Sequence, residues 1–266
     1  MISILGIPYD AMSSYMRGPA KGPAAILEQL HSGASNYYTE LGVNLQAFSE
    51  QWEEAGSLSF DTEEAIPVFD RISAEVRTLL EKGDRVLSLG GDHSIAFPIM
   101  RAFAEHYDQL NILQIDAHSD LYDHFEGNPY SHACPFARIM EQGLAKKLTQ
   151  VGIRTLNQHQ SEQAKRFNVE IIEAKDFNAA VPIQLEGPLY LSIDLDGLDP
   201  AFAPGVSHHE AGGLSTRDVL KIIHSIQVPI IGVDIVELNP DRDWSNMTAA
   251  LAAKLLKECL GKMLRP

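Results

Sequence analysis

Asn111-Ile-Leu-Gln-Ile-Asp116-Ala-His118-Ser-Asp120 turns an apolar run into three potential metal ligands at every second residue. An extended path over 110–115 puts side chains i, i+2 and i+4 on one face, so Asp116, His118 and Asp120 are predicted to converge as long as that path lasts. Two carboxylates and an imidazole aimed at one place call for a cation. A second stretch, Leu189-Tyr-Leu-Ser-Ile-Asp194-Leu-Asp196, delivers carboxylates at i and i+2. Each stretch has a plainer reading as a strand end followed by a turn, since Asp and Ser favour turns and Gly197, Asp199 and Pro200 suit one. It is the pairing of the two that favours a site.

Working outward, apolar runs predict strands at 2–7, 41–48 (irregular), 85–89, 148–153, 169–172, 189–193 and 229–236, besides 110–115. Helical spacing and end signals predict helices at 22–30, 62–82, 95–106, 134–143, 158–167, 215–226 and 246–263. Pro23 opens the first of these, Gly83 stops the second, and Ser215 with Asp218 three residues on approaches a capping box. Continuous apolar strands alternating with helices imply a mostly parallel sheet covered on both faces. The expected fold is a three-layer α/β/α arrangement of about eight strands, in a single domain over residues 1–266. Ligands of such sheets bind beyond the carboxyl ends of the strands, where both acidic stretches fall.

Composition narrows the partners. Hydrophobic residues make up 45% and charged residues 21%, enough for a core and unlike a disordered chain. Lys+Arg 21 against Asp+Glu 36 gives a net charge of −15, which argues against nucleic acid or an anionic membrane and suits a cationic substrate. The start has no basic segment followed by a long apolar one, and no run approaches the roughly 18 apolar residues of a spanning helix. Cys134 and Cys259 are far apart and form no C-x-x-C, as expected of free thiols in a reducing compartment. The expected location is cytoplasmic.

His93, in Arg85-Val-Leu-Ser-Leu-Gly-Gly-Asp-His93, would join the acidic groups at the same sheet edge, with Gly90 and Gly91 allowing the turn and Asp92 behind it; a packing or capping histidine is the plainer reading. Asp116, Asp120, Asp194 and Asp196 in one cleft would carry four negative charges, untenable without protons or cations. Two divalent ions would cancel them. A carboxylate-rich set with two imidazoles favours Mn²⁺, ahead of Mg²⁺, Ni²⁺, Co²⁺ or Zn²⁺. Paired ions can generate a nucleophile from water near neutral pH, so the implied reaction is metal-assisted hydrolysis. His132, in Tyr130-Ser-His-Ala-Cys-Pro135, is a candidate proton shuttle or an exposed loop histidine. Glu237, just past the 229–236 run, is a candidate bidentate partner for a guanidinium or an ordinary solvent-facing glutamate.

These residues resemble the ureohydrolase (arginase/agmatinase) family through Gly-Gly-Asp-His93-Ser, Asp116-Ala-His118-Ser-Asp120, Ser192-Ile-Asp194-Leu-Asp196-Gly-Leu-Asp199-Pro and Asp234-Ile-Val-Glu237-Leu-Asn-Pro, in the family's order across nearly the whole chain. The resemblance implies an arginase-like fold and two manganese ions, one held by His93, Asp116, Asp120 and Asp194, the other by Asp116, His118, Asp194 and Asp196, with Asp116 and Asp194 bridging. It further implies that a hydroxide shared by the ions attacks a guanidinium carbon, that Glu237 anchors the guanidinium nitrogens, and that His132 handles protons as urea and an amine leave. Trimers or hexamers are also implied.

The sequence departs from the family at His132-Ala-Cys134, where His-Gly is usual, and at Gly205-Val-Ser-His208-His209-Glu210-Ala-Gly-Gly213, where many members have Gly-Thr-Gly-Thr-Pro. His208, His209 and Glu210 are candidate substrate contacts or part of a polar surface loop. Tyr122 stands where arginases carry an asparagine that reads the substrate's carboxylate, so the chain looks closest to agmatinases, and agmatine is the expected substrate. Arginine, a guanidino acid or formiminoglutamate are the alternatives on the same site. More distant readings are a metal-dependent deacetylase and a catalytically silent relative that binds metal or polyamine.

Overall fold

In the computed structural model, which describes residues 1–265, the strands are β1 (Ile2–Ile7), β2 (Trp52–Ser57), β3 (Arg85–Gly90), β4 (Asn111–Ile115), β5 (Lys147–Ile153), β6 (Glu170–Glu173), β7 (Leu189–Asp194) and β8 (Ile230–Val236). They form one sheet in the order β2-β1-β3-β8-β7-β4-β5-β6, and every neighbouring pair is parallel. Parallel strands with helical crossovers are covered on both faces, which is why β1, β4, β7 and β8 are buried at every position.

The helices are α1 (Gly22–His31), α2 (Ala65–Glu81), α3 (Ala96–Ala104), α4 (Pro135–Glu141), α5 (Gln158–Arg166), α6 (Thr216–Ser225) and α7 (Met247–Leu264). Two apolar layers sandwich the sheet. Leu189, Leu191 and Ile193 of β7 pack with α1, α6 and α7, while Tyr190 points to the other side, among α2, α3 and α4. The three-layer α/β/α arrangement is the one expected. Both halves of the capping box at Ser215 and Asp218 are formed.

One strand lies elsewhere than expected. Residues 41–48 hold an isolated bridge between Tyr38 and Asn44 and a 3-10 turn, Leu45–Phe48, capped by the Asn44 side chain. The edge strand is β2, which pairs with β1 from Ile2 opposite Trp52. Val43 and Leu45 are buried, so their alternation reports burial of a loop under α7 rather than a strand. In contrast, Trp-Glu-Glu-Ala-Gly-Ser faces solvent at most positions, and a partly solvated edge carries little apolar signal.

Gly91 proves necessary for space more than for its turn. A Cβ there would sit 1.9 Å from the Tyr9 carbonyl oxygen, because Tyr9 and Glu237 both bond to this segment: Asp92 N–H donates to Tyr9 O at 2.8 Å and Glu237 N–H to Gly91 O at 2.8 Å.

Candidate active site

The four strands that carry the candidate residues are contiguous in the middle of the sheet, β3-β8-β7-β4. Ile115 aligns with Ile193 and Asp194 with Val236, so the ends of β4, β7 and β8 lie side by side. Asp116, Asp194 and Glu237 leave the sheet along one edge for that reason. The extended path expected beyond Asp116 does not continue: β4 ends at Ile115, Asp116 Oδ1 accepts from His118 N–H at 2.6 Å, and Asp120 takes a left-handed φ of 50°. Glu237 also has a positive φ, 66°. Each such conformation costs about 1–2 kcal/mol, held here by surrounding bonds.

The structure brings the six predicted ligands together around two foci. His93 Nδ1 lies 3.1 Å from Asp116, 3.1 Å from Asp120 and 3.2 Å from Asp194. His118 Nδ1 lies 3.1 Å from Asp196 and 3.6 Å from Asp116. Two sets have ligand atoms mutually within 4.8 Å: His93 with Asp116 and Asp194, and Asp116 with His118 and Asp196. Asp116 belongs to both, in the position of a bridge. Asp194 falls in the first set only.

Electrostatics shows what this arrangement needs. Burial, reinforced by Asp116, pushes Asp120 up to about 6. Burial with Asp196 and Asp116 drives Asp194 well above the usual carboxylate range. Asp116 moves the other way: burial would raise it, but His118 and His93 outweigh that. Ser192 Oγ donates to Asp234 at 2.7 Å, so at 2.9 Å from His93 Nε2 it accepts, and Nε2 carries a proton. The other nitrogen of a neutral His93 then aims a lone pair at three carboxylates, and no hydrogen bond satisfies it. Burial disfavours a charged His93, yet the three carboxylates hold its pKa well above the ordinary value. A metal cation between them answers the same demand, and the oxygen-rich donor set with one imidazole per focus fits two such ions.

Glu237 and His132 form a second unit. Glu237 Oε1 accepts from His132 Nδ1 at 2.8 Å and from the His93 backbone N–H at 3.0 Å. Burial lowers the His132 pKa, but Glu237, with Asp92 and Asp120 behind it, outweighs burial and carries it up to about 9. His132 is therefore a buried, paired histidine rather than an exposed loop residue. Its Nε2 meets Ser14 Oγ at 2.9 Å. His132, Glu237, Ser14, Asp120, Asp194 and Asp196 line a cavity of about 200 Å³.

The predicted substrate contacts line it too. The ring of His208 lies 5.2 Å from His132 and 5.7 Å from His118. Burial, then the His132 charge, holds His208 below the ordinary histidine value and so uncharged at neutral pH. Glu210 Oε1 is 3.9 Å from His118 Nε2. Tyr122 lies on the cavity wall, stacks on His159 at 5.6 Å, and its hydroxyl accepts from Asn157 at 2.5 Å.

Several supporting residues carry no periodic signal in the sequence. Asp92 Oδ2 accepts from Met12 N–H at 2.9 Å and so fixes the loop that presents Ser14. Gln114 Nε2 donates to Asp116 Oδ2 at 2.7 Å. Arg154 bonds the carbonyls of Asp196 at 2.7 Å, Gly197 at 3.1 Å and Glu210 at 2.6 Å, tying the second acidic turn to the His208 loop. Position in the Asp-His motif was the one available signal for Asp92; Ser14 and Arg154 had none.

A family model described as "Arginase family" matches residues 1–261. Arginase 1, mitochondrial, of Arabidopsis thaliana is 46% identical over 98% of this chain and 80% of its own length. An agmatinase of Bacillus anthracis is 34% identical over 97% of this chain and 90% of its own. Thus the arginase shares more identity than the agmatinase, although Tyr122 pointed the other way. Among solved structures, an arginase from Medicago truncatula superposes with a TM-score of 0.94 at 42% identity, covering 98% of this chain and 87% of that one. The chain belongs to the arginase family and is a ureohydrolase.

Proposed function

We propose that the protein hydrolyses the guanidino C–N bond of arginine, releasing urea and ornithine, at a site for two divalent cations, manganese first. The observation that carries the chemistry is the sharing of Asp116 between two ligand sets that adjoin the His132–Glu237 pair. His93, Asp116, Asp120, Asp194, His118 and Asp196 would hold the ions, which when bound supply a water-derived nucleophile near neutral pH.

The chain's own residues do the rest. Glu237 faces the guanidinium and neutralises it, its orientation set by two bonds to Oε1. His132, charged beside Glu237, holds a proton at Nε2, and the Ser14 hydroxyl 2.9 Å away gives that proton a path to the leaving amine. Uncharged His208 closes the cavity without repelling a cation.

Arginine leads because the arginases above share more identity than the agmatinase. Agmatine is the second reading, favoured by an inner cavity lined by carboxylates and, among the described residues, by no Lys or Arg. Product analysis with manganese-incubated protein separates them: urea with ornithine from arginine is expected to exceed urea with putrescine from agmatine. A reversed ratio would move the assignment to agmatine.

A further inference from the structure

The acidic inner cavity is lined, among the described residues, by no Lys or Arg to pair with the carboxylate that arginine carries at its far end. It opens, however, into an outer chamber of about 450 Å³, and the two share Ser14, Phe125, His208 and Glu210. Arg242, in the turn between Glu237 and α7, lines that chamber. It is the only Lys or Arg among the described residues lining either space.

Neutral atoms orient its guanidinium. Arg242 Nη2 lies 3.2 Å from His209 Nδ1, and Nη1 lies 3.2 Å from Met16 Sδ. His209 Nε2 is 2.7 Å from the Pro204 carbonyl oxygen, which can only accept, so Nε2 bears the proton and Nδ1 offers its lone pair to Arg242. Among the described residues no carboxylate stands within ion-pair distance of Arg242, in a chain of net charge −15. Its charge and its remaining N–H donors are uncommitted. Such a cation at the mouth of the cavity would repel the ammonium of agmatine, and it matches a far end that carries a carboxylate.

Glu210, on the wall shared by the two spaces, supplies the opposite charge. The other carboxylate facing the chamber, Glu126, sits on an exposed turn. The wall between the two spaces is continuous: the ring of His208 is 5.2 Å from that of His132, and His209, next in the chain, reaches Arg242.

We propose that Arg242 binds the α-carboxylate of arginine while Glu210 takes its α-ammonium, so that the outer chamber reads a zwitterionic end. The proposal rests on the guanidino-hydrolase reading and deepens it, making the outer chamber the source of arginine preference.

The test is steady-state kinetics of manganese-loaded wild type, R242Q and R242K on arginine and agmatine. R242Q is expected to raise KM for arginine about ten-fold or more with little change in kcat, as for loss of a contact made equally before and during reaction, whereas KM for agmatine does not rise. R242K should recover part of the loss, since it keeps the charge without the planar fork. Equal loss on both substrates, or unchanged KM for arginine, would overturn the proposal. Where only one compound is turned over, inhibition gives the same comparison: R242Q should weaken ornithine and spare putrescine, and the opposite would overturn it. Absence of urea from both compounds with the wild type would remove the hydrolase reading itself, and this inference with it.

Discussion

Asp116 and Glu237 carry the account at the scale of single residues. Asp116 stands at the end of a central strand and belongs to both ligand sets; Glu237 binds His132 and the backbone of His93 through one oxygen. Replacing Glu237 with Gln would remove the charge proposed to neutralise the guanidinium while keeping the six proposed metal ligands in place. Metal content should hold while kcat/KM for arginine falls at least about 30-fold, the lower end expected for breaking a buried charged pair. The same substitution has a signature free of turnover. In metal-free protein the His132 imidazole should titrate near 9, and in Glu237→Gln it should move down toward the ordinary 6.5. Because the folded value is raised, the pairing stabilises the fold fully below pH 6.5 and loses that contribution as pH rises through about 9. NMR of the imidazole carbon-bound protons reads this directly, and titration at the same pH in both proteins would break the His132–Glu237 link.

At the scale of elements, what could be read from the sequence follows what burial leaves visible. Fully buried β1, β4, β7 and β8 appear as unbroken apolar runs, and α6 announces itself by its cap. Ser215 Oγ accepts from Asp218 N–H at 3.1 Å, and Ser215 N–H donates in return to the Asp218 carboxylate at 3.1 Å. Ser215→Ala should therefore cost about 1 kcal/mol, seen as a lower urea midpoint with unchanged slope. The edge strand β2 leaves no apolar pattern because solvent-facing glutamates replace it, and 41–48 reads as a strand because a buried loop can mimic alternation. The convergence of the six candidate ligand positions was legible because they follow closely on strands whose ends the sequence marks. Ser14, Arg154 and Arg242 were not, since each lies outside the motifs and reaches the site through loop packing or contacts across long sequence separations, as with Ser14 and His132, 118 residues apart.

At the scale of the whole molecule, a parallel sheet gathers the carboxyl ends of four adjacent strands and with them more buried negative charge than protons on His93 and His118 can match at neutral pH. Net charge, strand order and ligand spacing all point to a cation-loaded edge acting on a cationic substrate. The agmatine expectation rests on Tyr122 and the acidic balance of the chain; the outer chamber with Arg242 lies beyond what the motifs describe. The most direct test of the central claim is urea release from arginine, measured on metal-free protein as manganese is added in known equivalents. Activity should rise and level off at two ions per chain. A plateau at one ion, or no urea at any manganese level from arginine or agmatine, would contradict the two-cation ureohydrolase.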